Sequence, residues 1–365
     1  EKIPVDAMVI YNGKNKPSYT KETLMPNNGD VTLIDNDRDG EVEVVVVNDG
    51  SKDGSLAVAQ RYAESYPDVV RVIDKQNGNY GSTINAGLLQ AKGKFVKILD
   101  SDDWFDTMAL NTMIEQIKNI DVDVVVTHFS QLGPGHRKEV VRYNTMGYEP
   151  YLYNHIYALD DILKDGYIRF FLMHALAYRT ELLRSIHYTQ TEGISYTDTE
   201  WATIPIFHAQ TICFLNLNVY QYNLDRAGQT MAPEVLMKSI PQLIKVNDRL
   251  IQYYRDHMMS ISTTRSTFIK RFLENRVRIL YKLYLLDMPR DNFKQEDMYI
   301  FDNKMWSICQ QLQLQPKLYP ENKLLRIEYI NYWHKYHKRW PIWIETINRV
   351  LDIIVKQLYV KLFRR

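Results

Sequence analysis

Cysteine is scarce in this chain, and neither sign of charge is in excess. The 365 residues contain only Cys213 and Cys309, in unrelated contexts, so the sequence predicts neither a disulfide framework nor a zinc site and favours a reducing compartment. The formal net charge of +1 argues against a nucleic-acid partner, because nucleic-acid-binding proteins usually carry a basic excess. No stretch is long and uncharged enough to predict a membrane span, and we expect no secretory signal segment.

Apolar runs typical of buried strands alternate with helical patterns between residues 42 and 130. The strongest is the β-branched run 44–47, which predicts a strand buried on both faces. The other predicted elements are a helix over 55–66, a strand over 69–74, a loop over 77–82 that leads into a helix ending at Ala91, a strand over 94–99, a helix near 107–119 and a strand over 122–129. Alternating strands and helices need crossover connections, so the pattern predicts an α/β fold with a parallel sheet.

Four carboxylates follow the predicted strand 94–99, namely Asp100, Asp102, Asp103 and Asp106. Unpaired carboxylates this close repel one another and raise each other's pKa, so the cluster needs a positive counterpart. Hard divalent cations such as Mg²⁺ or Mn²⁺ prefer carboxylate oxygens. The alternative is an acidic turn in which Asp103 or Asp106 caps the following helix.

A second aspartate, Asp49, follows the predicted strand at 44–47 and lies in the turn sequence Asn48-Asp49-Gly50-Ser51. Ligands of parallel α/β sheets bind beyond the carboxyl ends of the strands. Because Asp49 and Asp100 end two different strands, the pattern favours a site for a metal and a nucleotide.

Beyond residue 130, the alternation of predicted strands and helices gives way to other sequence patterns. The segment 130–235 is mixed and aromatic, whereas apolar residues recur at helical spacing from Pro233 onward. We predict a catalytic domain over 1–231, a helical appendage over 232–330 and a separate C-terminal helix within 331–365.

Four motifs now support a resemblance to a known family. They are "VVVVNDGSKDGS" (44–55), "NAGLLQAKGKF" (85–95), "LDSDDW" (99–104) and "YTDTEW" (196–201). In this order they resemble the family 2 glycosyltransferases, inverting enzymes with the GT-A fold, over roughly residues 42–230. The sequence departs from the family at two places: "AMVIYN" (7–12) keeps Tyr11 and Asn12 but lacks the usual proline, and Thr197 stands where the family often has glutamate.

The resemblance implies a nucleotide-sugar site, to which Tyr11 would contribute. Asp49 would accept a hydrogen bond from N3–H of uracil, and Asp100 would bind the ribose or lie behind the metal. Asp102 would coordinate the metal with the help of Asp103. Three further residues of the predicted loop and helix, Asn79, Gly81 and Asn85, would approach the nucleotide through backbone N–H groups. Ordinary turn and loop chemistry is the alternative for Asp49 and for these three residues.

Inversion requires one carboxylate to take the proton from the attacking hydroxyl, and the resemblance assigns this role to Asp198. Glu200 is the rival, because in a strand it would point the same way; its alternative role is a charge at a helix N-terminus. Arg226 would clamp the diphosphate, with a surface arginine as the alternative. His174 would line the acceptor site, with a core histidine as the alternative.

These assignments predict an enzyme that moves a sugar from a UDP-sugar to a hydroxyl of a glycan or lipid-linked acceptor, with Mn²⁺ or Mg²⁺ as cofactor. One alternative is a sugar-nucleotidyltransferase, but "YNGKNKP" (11–17) is a poor match to the Gly-rich, basic phosphate loop which that class needs. The other is a non-catalytic carbohydrate- or membrane-binding scaffold of the same fold. The joint presence of Asp49, Asp102 and Asp198 argues against it.

The last 27 residues, 339–365, predict an amphipathic helix. Charged residues share one face and apolar residues the other, which carries Trp343, Ile347, Val350, Ile354 and Leu358. Aromatic and basic residues on such a helix suit the interface of an anionic membrane. Packing on the appendage or an oligomer contact is the alternative. Since related enzymes often build bacterial surface polysaccharides, we expect a cytoplasmic protein, peripheral at the inner face of the cell membrane.

Overall fold

The computed structural model describes residues 6–11, 42–133, 137–143, 151–164, 166–168, 170–224, 233–316, 328–347 and 350. The chain falls into two compact units. Unit 1 comprises residues 1–229 and 248–269, and unit 2 comprises residues 230–247 and 270–365. The segment 248–269, which the sequence assigned to a helical appendage, thus belongs to unit 1. The predicted three-part division at residues 231 and 330 stays a prediction.

Ten strands lie in the described part of unit 1. They are β1 (Asp6–Tyr11), β2 (Val42–Asp49), β3 (Val70–Lys75), β4 (Phe95–Leu99), β5 (Trp104–Phe105), β6 (Val124–Gly133), β7 (Arg137–Val141), β8 (Ile156–Ala158), β9 (Leu176–Arg179) and β10 (Thr211–Asn223). The α-helices of the described chain are α1 (Ser55–Ser65), α2 (Asn79–Gln90), α3 (Thr107–Ile117), α4 (Leu159–Lys164), α5 (Thr180–Ser185), α6 (Asp198–Thr203), α7 (Pro233–Lys238), α8 (Ile240–His257), α9 (Thr263–Lys282), α10 (Gln295–Leu312) and α11 (Tyr329–Tyr336).

The strands form one mixed sheet in the order β3-β2-β1-β4-β9-β6-β10-β5, with β7 beside β6 and β8 beside β10. β2 pairs with β3 and β6 with β10 in parallel, as the alternating pattern predicts. β1 runs antiparallel to both β2 and β4. The sheet is therefore not parallel throughout. The predicted α/β fold class, a central sheet flanked by helices and followed by C-terminal helices, is nevertheless confirmed.

The predicted elements between residues 42 and 130 agree with the structure to within a few residues, with one exception. The expected loop over 77–82 is wrong from residue 79, where α2 begins. The Ser82 hydroxyl donates to the carbonyl oxygen of Asn79 at 2.7 Å, and the Thr83 hydroxyl donates to that of Tyr80 at 2.7 Å. Short polar side chains that favour loops here bond back onto the first helical turn instead.

The core of unit 1 lies against the buried strands. β2 and β4 are mainly apolar and mainly buried, although they also bury the charged residues Glu43 and Lys97. The inward apolar residues of β6 and β10 are buried as well. Among the acidic residues after β4, Asp106 is the cap of α3, because its carboxylate accepts a hydrogen bond from the backbone N–H of Ala109 at 2.9 Å. The cap alternative is thus correct for Asp106. Asp103 has other contacts, given below.

The described part of unit 2 is helical. Its buried polar centre is Asp302, whose Oδ1 accepts hydrogen bonds from the Tyr281 hydroxyl at 2.5 Å and from Nε2 of His334 at 2.8 Å. Residues 342–347 are also helical. In the described ranges, no helix has the length and apolar character needed to cross a membrane. Most of the predicted C-terminal helix, at 348, 349 and 351–365, lies outside the described residues.

Candidate active site

Two aspartates end strands at the same edge of the sheet. Asp49 is the last residue of β2, and Asp100 directly follows β4. β1 lies between these strands, so two strand spacings, about 10 Å, separate the two positions. The backbone of Tyr11 instead pairs with Val42 and Phe95, where β2 and β4 begin. Because β1 runs antiparallel to its neighbours, its backbone ends at the opposite edge of the sheet from Asp49 and Asp100, and the contribution of Tyr11 to the site stays a prediction.

One carboxylate oxygen of Asp49 accepts three hydrogen bonds. Oδ1 accepts from Nζ of Lys75 at 2.7 Å, from the backbone N–H of Gly78 at 2.9 Å and from the Ser82 hydroxyl at 3.3 Å. These bonds hold the carboxylate in one orientation. Within the described chain, no hydrogen bond is made to the other oxygen, Oδ2, so Asp49 keeps an acceptor for a ligand.

The acidic cluster after β4 is organised by the end of β10. Asp103 accepts from the Tyr220 hydroxyl at 2.6 Å and from the backbone N–H of Asn223 at 2.8 Å, one bond to each carboxylate oxygen. Asp100 accepts from the Tyr80 hydroxyl at 3.0 Å. A backbone bond of 3.1 Å from the N–H of Asp103 to the carbonyl of Asp100 closes the turn. Both carboxylates are therefore oriented by neutral donors.

A histidine completes this cluster. Single ligand atoms of Asp100, Asp103 and His174 lie within 4.8 Å of one another. His174 is carried by a 3₁₀ turn, Met173–Ala175, and is 7% exposed. Its ring stacks between Phe129 and Tyr222, with centroid distances of 5.0 and 4.3 Å. His174 is therefore buried, as the core-histidine alternative has it, and lies beside the two carboxylates; its role at the acceptor site stays a prediction.

The chemistry of this set fits a divalent cation. Two carboxylates supply oxygen ligands, and Nδ1 of His174 is buried without a hydrogen-bond partner in the described structure. Burial and, to a smaller extent, the charge of Lys97 lower the pKa of His174 to about 3, so the imidazole is neutral at neutral pH. Asp102, predicted as the principal metal ligand, lies outside this group of three.

A buried lysine supports the turn that carries His174. The Nζ of Lys97, in the middle of β4, donates to the carbonyl oxygens of His174 at 2.7 Å and Leu176 at 3.3 Å. Both acceptors are neutral, and burial lowers the pKa of Lys97 to about 7. The sequence offered a signal for this role, since a lysine inside the apolar strand "FVKIL" needs a partner.

Asp198 lies near the same acidic residues. It is the first residue of α6 and is half-buried. Burial raises the pKa of the Tyr222 phenol, and four neighbouring negative charges raise it further. These charges belong to Asp103, Asp100, Asp198 and Asp102. Tyr222 on β10 therefore lies close to both the predicted base and the acidic cluster. The sequence analysis did not predict a role for Tyr222.

Glu200 does not share the orientation of Asp198. The shared orientation would require a strand, whereas α6 is a helix in which residues two apart are rotated by about 200°; Glu200 lies in its first turn, as the helix N-terminus alternative has it. Glu200 is 0% exposed. Its Oε2 accepts from the backbone N–H of Thr191 at 2.8 Å and lies 3.4 Å from Nε of Arg249. Burial raises the pKa of Glu200, although Arg249 opposes the shift. Its partners make it a structural residue that cannot reach an acceptor.

Two residues predicted at the nucleotide instead hold the chain segment before α6. A Cβ on Gly81 would lie 2.0 Å from the carbonyl oxygen of Thr191, so only glycine allows this approach. The Asn85 amide bonds to the backbone of Gln190 at 2.7 and 2.9 Å. Asn79 begins α2 with a positive φ of 64°. Gly81 and Asn85 thus hold the segment that leads to Asp198, and their contact with a nucleotide stays a prediction.

The segment they hold is linked directly to α6. The side-chain amide of Gln190 donates to the carbonyl oxygen of Thr197 at 2.6 Å and to its hydroxyl at 3.1 Å. Arg249 donates to Thr189 and Thr191 in the same segment. Since Arg249 lies 58 positions from Thr191 and 60 from Thr189, no local pattern could reveal its contacts with this segment. Arg226, predicted to clamp the diphosphate, lies outside the described residues.

Comparison with known proteins matches the part of the chain that carries Asp49, the acidic cluster after β4 and His174. Residues 31–186 match the family described as Glycosyl transferase family 2. An uncharacterized glycosyltransferase of Nostoc sp. is 33% identical over 147 residues, covering 40% of this chain and 44% of that protein. A dolichyl-phosphate beta-glucosyltransferase of Trichomonas vaginalis is 31% identical over 130 residues, covering 33% of this chain and 40% of that protein. The chain thus spans less than half the length of these two relatives.

Among solved structures, the crystal structure of S. aureus TarS 1-349 superposes with a TM-score of 0.50 at 20% identity. The alignment covers 74% of this chain and 71% of that one. At this level of identity the likeness concerns the fold, and it agrees with the α/β architecture of the described residues.

Proposed function

Because residues 31–186 match the model of Glycosyl transferase family 2, we propose that this chain transfers a sugar from a UDP-sugar to a hydroxyl acceptor with inversion at the anomeric carbon. The observation that carries the proposal is the grouping of Asp198 with the acidic cluster around Tyr222. A transferase of this kind needs a base for the acceptor and positive charge for the leaving diphosphate, side by side.

Asp198 is the proposed general base. Its half-buried position at the start of α6 leaves it accessible to an acceptor, whereas Glu200 is fully buried and bonded to Thr191. The carboxylate would take the proton of the acceptor hydroxyl as that oxygen attacks, and no covalent intermediate with the protein is required. Gln190 and Arg249 would fix the position of the segment that leads to it.

The donor would bind along the edge formed by the ends of β2 and β4. Oδ2 of Asp49 is available to accept from N3–H of uracil, since Oδ1 already holds Lys75 and Gly78. Asp100 and Asp103 would hold a divalent cation, which when bound offsets the charge of the departing diphosphate. Asp100 takes the place of the predicted ligand Asp102, because an oxygen of Asp100, like one of Asp103, lies within the group of ligand atoms that includes His174.

The C-terminal residues support a further partner, an anionic membrane surface. Ile342, Trp343, Ile347 and Val350 are 65%, 58%, 38% and 49% exposed, whereas Ile344 is buried. Glu345 pairs with Arg290 at 2.6 Å, so one side of this stretch is held by unit 2. Exposed apolar and aromatic side chains on the other side suit a membrane interface. A lipid-linked acceptor would be presented at the same surface.

The test is release of UDP from a panel of UDP-sugars, with GDP-sugars as the comparison, in the presence of Mn²⁺ or Mg²⁺. We expect one UDP-sugar to be consumed, and Asp198→Asn to retain UDP binding while losing turnover by roughly 10²-fold or more. Asp68→Asn, at an exposed aspartate of the same unit, serves as the matched control. Unchanged turnover in Asp198→Asn would remove the base assignment, and release of pyrophosphate from UTP and a sugar phosphate would indicate a nucleotidyltransferase.

A further inference from the structure

We propose that His174 is a direct ligand of the catalytic cation and makes this site selective for Mn²⁺ over Mg²⁺. The inference rests on the proposed function for its purpose, but the site itself is argued from the arrangement of Asp100, Asp103 and His174. No other part of the described chain brings together three side chains with metal-ligand atoms.

The two carboxylates alone would not define a site, because clustered acids occur without a metal. The independent observation is the imidazole. Its Nδ1 is buried and has no hydrogen-bond partner in the described structure, which is costly for a polar atom unless something binds there. His174 is 7% exposed, and one of its ring nitrogens lies within 4.8 Å of both carboxylate ligand atoms.

The ring is also held in place before any ligand arrives. Phe129 and Tyr222 stack on its two sides, and Tyr220 meets its edge at a centroid distance of 4.8 Å. The carbonyl oxygen of its own residue accepts from the buried Lys97 at 2.7 Å. A side chain fixed by both packing and its backbone loses little freedom when it coordinates an ion, as a preorganised ligand should.

The carboxylates are oriented in the same way. Asp103 accepts from Tyr220 and from the backbone of Asn223, and Asp100 accepts from Tyr80. A carboxylate oxygen has two lone pairs, so a hydrogen bond from a neutral donor does not by itself prevent it from binding a cation. Such supporting bonds to ligating carboxylates are the usual complement of a metal site.

The selectivity follows from the mixed donor set. Mg²⁺ requires near-ideal octahedral geometry, is bound through oxygen and gives up its waters reluctantly. Imidazole nitrogen suits the later first-row ions best, and Mn²⁺, at the start of that series, accepts it more readily than Mg²⁺ does. Two oxygens and one nitrogen therefore favour Mn²⁺, whereas a site built only from Asp100, Asp102 and Asp103 would accept both ions.

The experiment measures metal binding rather than turnover. Mn²⁺ and Mg²⁺ are titrated separately into the full chain, with and without UDP, by calorimetry and by the EPR signal of free Mn²⁺. We expect Mn²⁺ to bind at least about tenfold more tightly than Mg²⁺. In His174→Phe, which keeps a ring between Phe129 and Tyr222, we expect this preference to fall by about tenfold or more. His128→Phe, at another buried histidine of unit 1, should leave it unchanged.

Pulsed EPR of the Mn²⁺-loaded wild-type chain gives a second readout that needs no variant. A directly bound imidazole produces a ¹⁴N coupling, which should change to that of ¹⁵N when only histidine is labelled and disappear in His174→Phe. Bound Mn²⁺ without this coupling, equal affinity for the two ions, or no Mn²⁺ binding would each overturn the inference. Mn²⁺ binding with the coupling, together with no transfer from any nucleotide sugar, would instead overturn the proposed function and leave the metal site standing.

Discussion

Asn85 and Gln190 lie 105 positions apart in the sequence and pair as if in a strand ladder. Oδ1 of Asn85 accepts from the backbone N–H of Gln190 at 2.7 Å, and Nδ2 donates to its carbonyl oxygen at 2.9 Å. Helix α2 thereby satisfies the backbone of a loop that has no strand partner. The loop in turn bonds to Thr197, directly before Asp198.

Removing the hydrogen bonds between Asn85 and Gln190 should make the segment before α6 less stable. In Asn85→Ala both backbone groups of Gln190 lose their partner, and we expect a loss of about 2 kcal/mol in the free energy of unfolding. Hydrogen exchange of residues 186–197 should accelerate more than that of β2. Asn111→Ala, at a half-buried asparagine on α3, is the control. Uniform exchange in the variant would mean that Asn85 stabilises the unit as a whole.

Gly81 should be intolerant of any side chain. A methyl group at this position would lie 2.0 Å from the carbonyl oxygen of Thr191, so Gly81→Ala must separate α2 from that loop. We expect destabilisation of about 1–3 kcal/mol, measured by chemical denaturation. At Gly54 a Cβ would meet nothing within 4 Å and φ is −75°, so Gly54→Ala should be neutral or stabilise by about 0.4–1 kcal/mol. Equal effects of the two substitutions would contradict the packing argument.

Lys97 should make stability depend on pH above neutrality. Its pKa is lowered to about 7 by burial, whereas in the unfolded chain it takes the ordinary value of about 10.4. Between these values the unfolded chain binds more protons, so this lysine's contribution to the free energy of unfolding rises with pH. It is most destabilising below pH 7.

The measurement compares wild type with Lys97→Met by denaturation from pH 6 to 9.5. Above pH 7, the free energy of unfolding of the wild type should rise relative to that of Lys97→Met by up to about 1.4 kcal/mol per pH unit. Lys138→Met, at an exposed lysine on β7, controls for the loss of one positive charge. A constant difference between wild type and Lys97→Met across this range would show that Lys97 is charged in the folded protein at all these pH values.

The exposed apolar residues near the C-terminus should govern binding to anionic vesicles. Trp343 and Ile347 are 58% and 38% exposed, and burying such a side chain fully contributes about 1.5–3 kcal/mol. Replacing both with glutamate should weaken co-sedimentation by at least about tenfold. The control Leu89→Glu, at a residue of unit 1 that is 84% exposed, should leave co-sedimentation unchanged. Retained binding by the double variant would leave packing or self-association as the role of this stretch.

The sequence by itself determined the local elements and the chemistry available to them. The β-branched run in β2 predicts a buried strand because four adjacent apolar residues need burial on both faces. The acidic residues after β4 and Asp49 after β2 are predicted at one edge, because ligands of such sheets bind at strand ends. The motifs of residues 42–201 predict a resemblance to the family 2 glycosyltransferases, and residues 31–186 match the model of that family.

Tertiary structure decided which of these side chains act together. Glu200 is turned into the core because α6 is a helix, which places it away from Asp198 although only one residue separates them. Gly81 and Asn85 lie against residues more than 100 positions away in the sequence. His174 joins Asp100 and Asp103 across the sheet. Local periodicity reports only which face of its own element a residue occupies; its neighbours from distant segments are set by strand order, strand direction and close packing.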